Sequence, residues 1–179
     1  MIKYGTIAGL AAFAFAGMIQ VAAPATDNKL PEAAQAALHA ALDDEYKAYA
    51  TYQGVIEKFG EVRPFANIIR AEQRHISFLK PLFAKYGLNV PPNPYLSGDK
   101  RPKAPATLVE ACRIGVQAEI ANAALYDEDI LPAVKNYADI TDVAILLRDA
   151  SQNNHLSAFQ RCVDRGGRMG PGAGMGGQG

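Results

Sequence analysis

Residues 65–87 read FANIIRAEQRHISFLKPLFAKYG, and their spacing decides the fold. Phe65, Ile69, Glu72, Ile76, Leu79, Phe83 and Tyr86 recur in alternating steps of four and three, the seam of an amphipathic helix. Pro64 suits its opening and Gly87 its C-terminal cap. Upstream, Leu38, Leu42, Glu45, Tyr49, Tyr52 and Phe59 share one face of a helix predicted to take Pro31 as its first residue and to stop at Gly60. Downstream, Thr107-Leu-Val-Glu110 is a capping box. It opens a third helix with the seam Leu108, Cys112, Gly115, Glu119, Asn122 and Tyr126, which Pro132 is expected to kink or end. Asp139 is expected to cap a fourth helix that runs to Asp164. No stretch shows the period-two alternation of a strand, so the class is all-α.

The connections set the topology. Short links at Gly60 and near Asp139 make two antiparallel hairpins, whereas Leu88 to Ala106, with five prolines and no periodicity, must span the bundle. The expectation is an antiparallel four-helix bundle with one long crossover between helices two and three.

The two ends stand apart from this domain. Lys3, an uncharged apolar run from Ile7 to Val21 and the small-x-small site Ala23-Pro24-Ala25 predict a secretory signal peptide over residues 1–25. The bundle is expected over 26–165, followed by a flexible tail, GGRMGPGAGMGGQG, over 166–179. Such a chain would be secreted or periplasmic, and not an integral membrane protein once cleaved. Apolar residues are 49% of the 179 and charged residues 20%, which excludes a disordered chain. Eighteen basic against eighteen acidic residues argues against a nucleic-acid partner. The one basic cluster, Lys100, Arg101 and Lys103, sits among prolines and reads as a solvated loop.

The chemistry lies in what interrupts the seams. Glu45, Glu72 and Glu119 occupy positions that packing would give to apolar residues, and a buried unpaired carboxylate costs several kcal/mol or takes up a proton. His75 follows Glu72 at i+3 on the same face, and His155 sits on helix four. Counted from the two hairpin turns, Glu45 matches Glu72 and His75 in height, and Glu119 matches His155. Three carboxylates and two imidazoles converging at mid-bundle form a mixed oxygen–nitrogen site suited to iron or manganese. Tyr49, Tyr52 and Tyr126 lie on the same seams, where a phenol could bond a ligand carboxylate, donate an electron or simply fill the core.

Cys112 is seven residues before Glu119, and Cys162 is seven after His155, so antiparallel helices bring them to one level. A structural disulfide is expected, in keeping with export; the alternative is two free thiols, one of them a soft metal ligand. Met169 and Met175 in the tail could offer thioethers to Cu(I), a weaker copper-handling alternative.

The runs LDDEYKAYATYQGVIEKFG (42–60), IIRAEQRHISFLKPLFAKYG (68–87) and NNHLSAF (153–159) resemble the helices of ferritin-like bacterial proteins, in particular a ferritin-like domain family of largely unassigned function. The resemblance covers residues 30–164. It implies that Glu45 and Glu119 are terminal ligands, Glu72 a bridging carboxylate, and His75 and His155 nitrogen ligands. It also implies iron, as a pair or a single ion, or manganese, with neither haem nor nucleotide. The reaction class it suggests is ferroxidase-like oxidation of Fe(II) by O2 or peroxide, and it is compatible with a homo-oligomer. The di-iron pattern expects a second Glu-x-x-His on helix four, but Gln152 stands three before His155. Gln152 would be at most a weak, neutral ligand, and Asp149, one turn earlier, could substitute only through a shifted helix. That departure keeps a non-catalytic envelope bundle, a metal-binding or interaction module with a degenerate site, as the alternative function.

Overall fold

The computed structural model describes residues 29–168. The expected signal peptide and most of the Gly-rich tail, Met169 and Met175 included, lie outside the described residues. Helix α1 spans Glu32–Phe59; Pro31 is its extended N-cap, one position earlier than predicted, so its fixed φ leads into the helix without belonging to it. Helix α2 covers Phe65–Lys85 and carries Pro81 on its exposed side. It ends in a Schellman cap, with Leu88 N–H donating to Phe83 O at 2.8 Å and Gly87 N–H to Ala84 O at 3.2 Å. Among the described residues there is no β-strand.

The second hairpin departs from ideal helices at two places. Helix α3 begins as Leu108–Ala124, capped by Thr107 Oγ1 accepting from Glu110 N–H. It then widens into a π-helical turn over Leu125–Ile130 and closes as Leu131–Val134. Pro132 therefore does not end the helix. The widened turn just before it absorbs the missing N–H and the ring clash that would break an α ladder. Helix α4 runs as Ala138–Ala150, a π-helical turn at Ser151–His155, and Leu156–Asp164. Asp139 is not its cap. Tyr137 holds that position, and the Asp139 carboxylate instead accepts from Lys85 Nζ and the Tyr86 hydroxyl, each at 2.8 Å, tying the end of α2 to the start of α4.

Helix α1 packs on α2, and α3 on the last part of α4. The connection over 88–106, with a short 3₁₀ turn at Gly98–Lys100, climbs along α1. Tyr46 donates to Pro91 O at 3.1 Å, Arg101 pairs with Glu57, and Lys58 Nζ reaches Pro105 O at 2.5 Å. The glycines after α4 belong to the bundle and not to a tail. Gly167 N–H donates to Cys162 O and Gly166 N–H to Val163 O, both at 2.9 Å, with positive φ at each glycine.

The core has two apolar clusters. One gathers Leu38, Leu42, Leu79, Phe83, Ile130 and Leu147; the other gathers Tyr52, Val55, Phe65, Ile68 and Phe159 around the Cys112–Cys162 disulfide. In the second, α3 approaches α4 so closely that a Cβ at Gly115 would lie 2.6–2.7 Å from the Phe159 ring. That ring is held by Phe65 at 5.2 Å and Tyr52 at 5.4 Å and has nowhere to retreat. Gly115→Ala should therefore lower stability by about 1–2 kcal/mol in a denaturant melt, because overpacking of about 1–3 kcal/mol outweighs a helix-propensity gain of up to about 1 kcal/mol. A more stable variant would show that the ring has room to move.

Candidate metal centre

Between the two apolar clusters lies a polar layer. Glu45 on α1, Glu72 and His75 on α2, and Glu119 and His155 on the second hairpin are each 3–5% exposed. His75 Nδ1 is 3.1 Å from Glu45 Oε2 and 3.1 Å from Glu72 Oε2. His155 Nδ1 is 3.4 Å from Glu72 Oε1 and 3.6 Å from Glu119 Oε2. The imidazoles stack at 5.7 Å between centroids.

These contacts make two trios, Glu45–Glu72–His75 and Glu72–Glu119–His155, each able to present three ligand atoms within 4.8 Å of one another. Glu72 belongs to both, one carboxylate oxygen facing each histidine. The helices explain the convergence: Glu72 and His75 share a face at i, i+3, and the antiparallel partners bring Glu45 and Glu119 to the same height.

The second trio is visibly incomplete in its polar partners. His155 Nδ1 is buried without a hydrogen-bond partner. A buried ring nitrogen left unbonded costs about 1–3 kcal/mol, and a cation held between it and the facing carboxylates would remove that cost. Oxygen and imidazole donors of this kind fit a first-row divalent ion such as Fe(II) or Mn(II).

No family model, curated protein or solved structure matches this chain.

Two tyrosines brace the layer reciprocally. Tyr52 on α1 donates to Glu119 Oε1 on α3 at 2.7 Å, and Tyr126 on α3 donates to Glu45 Oε1 on α1 at 3.3 Å. Burial first, then the nearby carboxylate charges, push both phenols well above their ordinary range, so both remain protonated donors. Tyr49 does not join them; it packs on the apolar cluster. Burial, reinforced by the charge of Glu45, likewise pushes the Glu72 carboxyl well up.

Gln152 stays outside the cluster. It is exposed, and its Nε2 reaches Asp127 Oδ2 at 3.4 Å. The cause is the π-helical turn at Ser151–His155, whose extra residue per turn moves the position inward of His155 from i−3 to i−4. Ser151, 4% exposed, takes that place. Asp149 is held by Arg148 at 2.9–3.0 Å and does not substitute.

A cleft of about 330 Å³ between α1 and α3 reaches Glu45, Glu72 and Glu119, and Asp44, Lys47, Thr51, Gln117, Asn122 and Ser151 also line it. Ser151, Asp44 and Asn122 were not among the residues assigned to the site from the sequence. Asn122 sits on the α3 seam, but Asp44 lies one position off the α1 seam, where periodicity gives no reason to look.

Proposed function

We propose that this protein is an exported, ferritin-like metal-carboxylate protein that binds iron or manganese in the two trios sharing Glu72. The observation that carries the reading is the Glu72 carboxylate, whose two oxygens face two histidines while His155 Nδ1 has no hydrogen-bond partner. Glu45 and His75 would hold one ion, Glu119 and His155 the other, with Glu72 between them. Two such ions in the reduced state would supply electrons to O2 or peroxide, the chemistry of a ferroxidase-like oxidation. The chain's own contribution is to hold the carboxylates in place through Tyr52 and Tyr126, to shield the layer with apolar clusters on both sides, and to leave one cleft open to solvent. The disulfide supports export, since such bonds persist in oxidising compartments. No helix among the described residues is long and apolar enough to cross a membrane.

Metal content after anaerobic reconstitution with Fe(II) tests the proposal. The expected result is about two irons per chain in the wild type and almost none in Glu72→Ala, because one carboxylate serves both positions. A wild type that takes up no metal would end the reading. The inward place of Ser151 favours a second reading, a non-catalytic metal-binding or interaction module, because α4 brings no carboxylate of its own. Oxygen uptake by the iron-loaded protein separates the two. In either case Ser151→Glu, and not Gln152→Glu, should tighten metal binding, by about tenfold for one added buried charge-assisted contact.

A further inference from the structure

The carboxylate that α4 lacks has a counterpart on the opposite wall of the cleft. Asp44 precedes Glu45 on α1, and its half-buried side chain lines the same cavity as Glu45, Glu72 and Glu119. Its Oδ2 accepts from Asn122 Nδ2 at 2.5 Å. Asn122 lines the cavity too, is 8% exposed, and keeps a buried Oδ1 with no partner. A carboxylate beside an unsatisfied amide oxygen is a hard-cation donor pair that lacks its cation.

The electrostatics point the same way. No lysine or arginine among the described residues forms an ion pair with these four carboxylates; Lys47 is the one basic residue in the cavity wall. Charge balance gives Asp44 a second role. Glu45, Glu72 and Glu119 leave a pair of divalent ions one positive charge in excess, and one more carboxylate cancels it.

We propose that Asp44 and Asn122 form an admission site for a divalent cation in the cleft between α1 and α3, and that Asp44 afterwards balances the loaded centre in place of a carboxylate on α4. The inference rests on the metal-binding reading above. A cation arriving past Thr51 and Gln117 meets the half-buried Asp44 carboxylate first, gains the buried Asn122 Oδ1 as a second donor, then passes inward to Glu45 and Glu119. Asp44 acts as a positioning residue whose value lies in its charge and its place in the cleft.

Stopped-flow mixing with Co(II), read by its visible absorption, tests this on the full chain together with equilibrium titration. Asp44→Asn should take up Co(II) about tenfold more slowly and hold the second ion about tenfold more weakly, the scale of a local steering charge. Asp43→Asn removes the same charge one residue away from an exposed side chain bonded to Tyr95, and should behave as wild type. Asp44→Glu should recover uptake to within about threefold of wild type. Equal uptake by Asp44→Asn and wild type overturns the inference, as does equal slowing by Asp43→Asn. If Asp44→Asn does not fold, Asn122→Ala serves instead: it keeps the charge, removes Oδ1, and should slow uptake at least about threefold, while an unchanged rate overturns the inference. A wild type that binds no Co(II) brings down the metal-binding reading itself, whereas normal wild-type loading with an indifferent Asp44→Asn removes only the admission site.

Discussion

Replacing both cysteines, Cys112→Ala with Cys162→Ala, is expected to cost about 4 kcal/mol of stability and to lower the melting temperature by about 10–15 °C. The disulfide closes a loop with a sequence separation of 50, and the loss of that constraint enlarges the unfolded ensemble. Its position compounds the effect. The pair is fully buried where α3 meets α4, next to the Gly115–Phe159 contact, so the cross-link also holds the place where the two backbones come closest. Because the constraint acts mainly on the unfolded chain, the variant should show a larger denaturant m-value as well as a lower midpoint. Metal uptake should survive, since both cysteines lie two helical turns from the nearest ligands. Equilibrium denaturant melts of wild type, the double variant and the reduced wild type measure all of this. A loss below about 1 kcal/mol would mean that helix packing alone holds this end of the bundle and that loop closure contributes little.

Much of this arrangement was legible in the sequence because antiparallel helices turn equal offsets from a turn into equal heights. That rule places Glu45 beside His75, Glu119 beside His155, and Cys112 against Cys162, and the contacts in the structure agree. The rule fails where helices stop being ideal. Gln152 and Ser151 exchange roles because a π-helical turn inserts a residue into the count, and nothing in the composition of SQNNH announces one. The same irregularity lets α3 run through Pro132, which by itself argues for a break. Asp139 has the side chain of a cap, yet Lys85 and Tyr86, distant in sequence, claim its carboxylate. Asp44 is the instructive miss. It stands off the seam, where the apolar periodicity gives no reason to look. Ala48, Ala118 and Ala121 line the same cleft and are too small to fill it, so an off-seam side chain reaches the cavity. Small residues opposite one another on two helices were the available signal.

In the metal-free protein, Glu72→Gln should raise stability at neutral pH while abolishing metal-induced stabilisation. Glu72 lies in a buried layer beside Glu45 and Glu119, and burial with those charges holds its carboxyl well above the ordinary 4.5. Below that ordinary value the group is protonated in both folded and unfolded chains, and its contribution to stability is fully present. As pH rises, the unfolded chain releases the proton while the folded chain must keep it, so stability falls by about 1.4 kcal/mol per pH unit until the folded value is passed. Asp44, raised from 3.8 to about 6, adds a loss of the same sign between those two values. The metal-free wild type should thus be less stable at pH 7 than at pH 5. Glu72→Gln removes the Glu72 contribution to that slope. With Fe(II) or Mn(II) present the wild-type dependence should reverse, because a cation needs the carboxylates ionised and binds more tightly as pH rises. Thermal melts at pH 5, 6, 7 and 8, with chelator and with Mn(II), give four curves. If metal-free wild type and Glu72→Gln run parallel across this range, Glu72 is not held protonated in the fold. If Mn(II) stabilises both proteins equally, the ion binds somewhere other than the layer that Glu72 bridges.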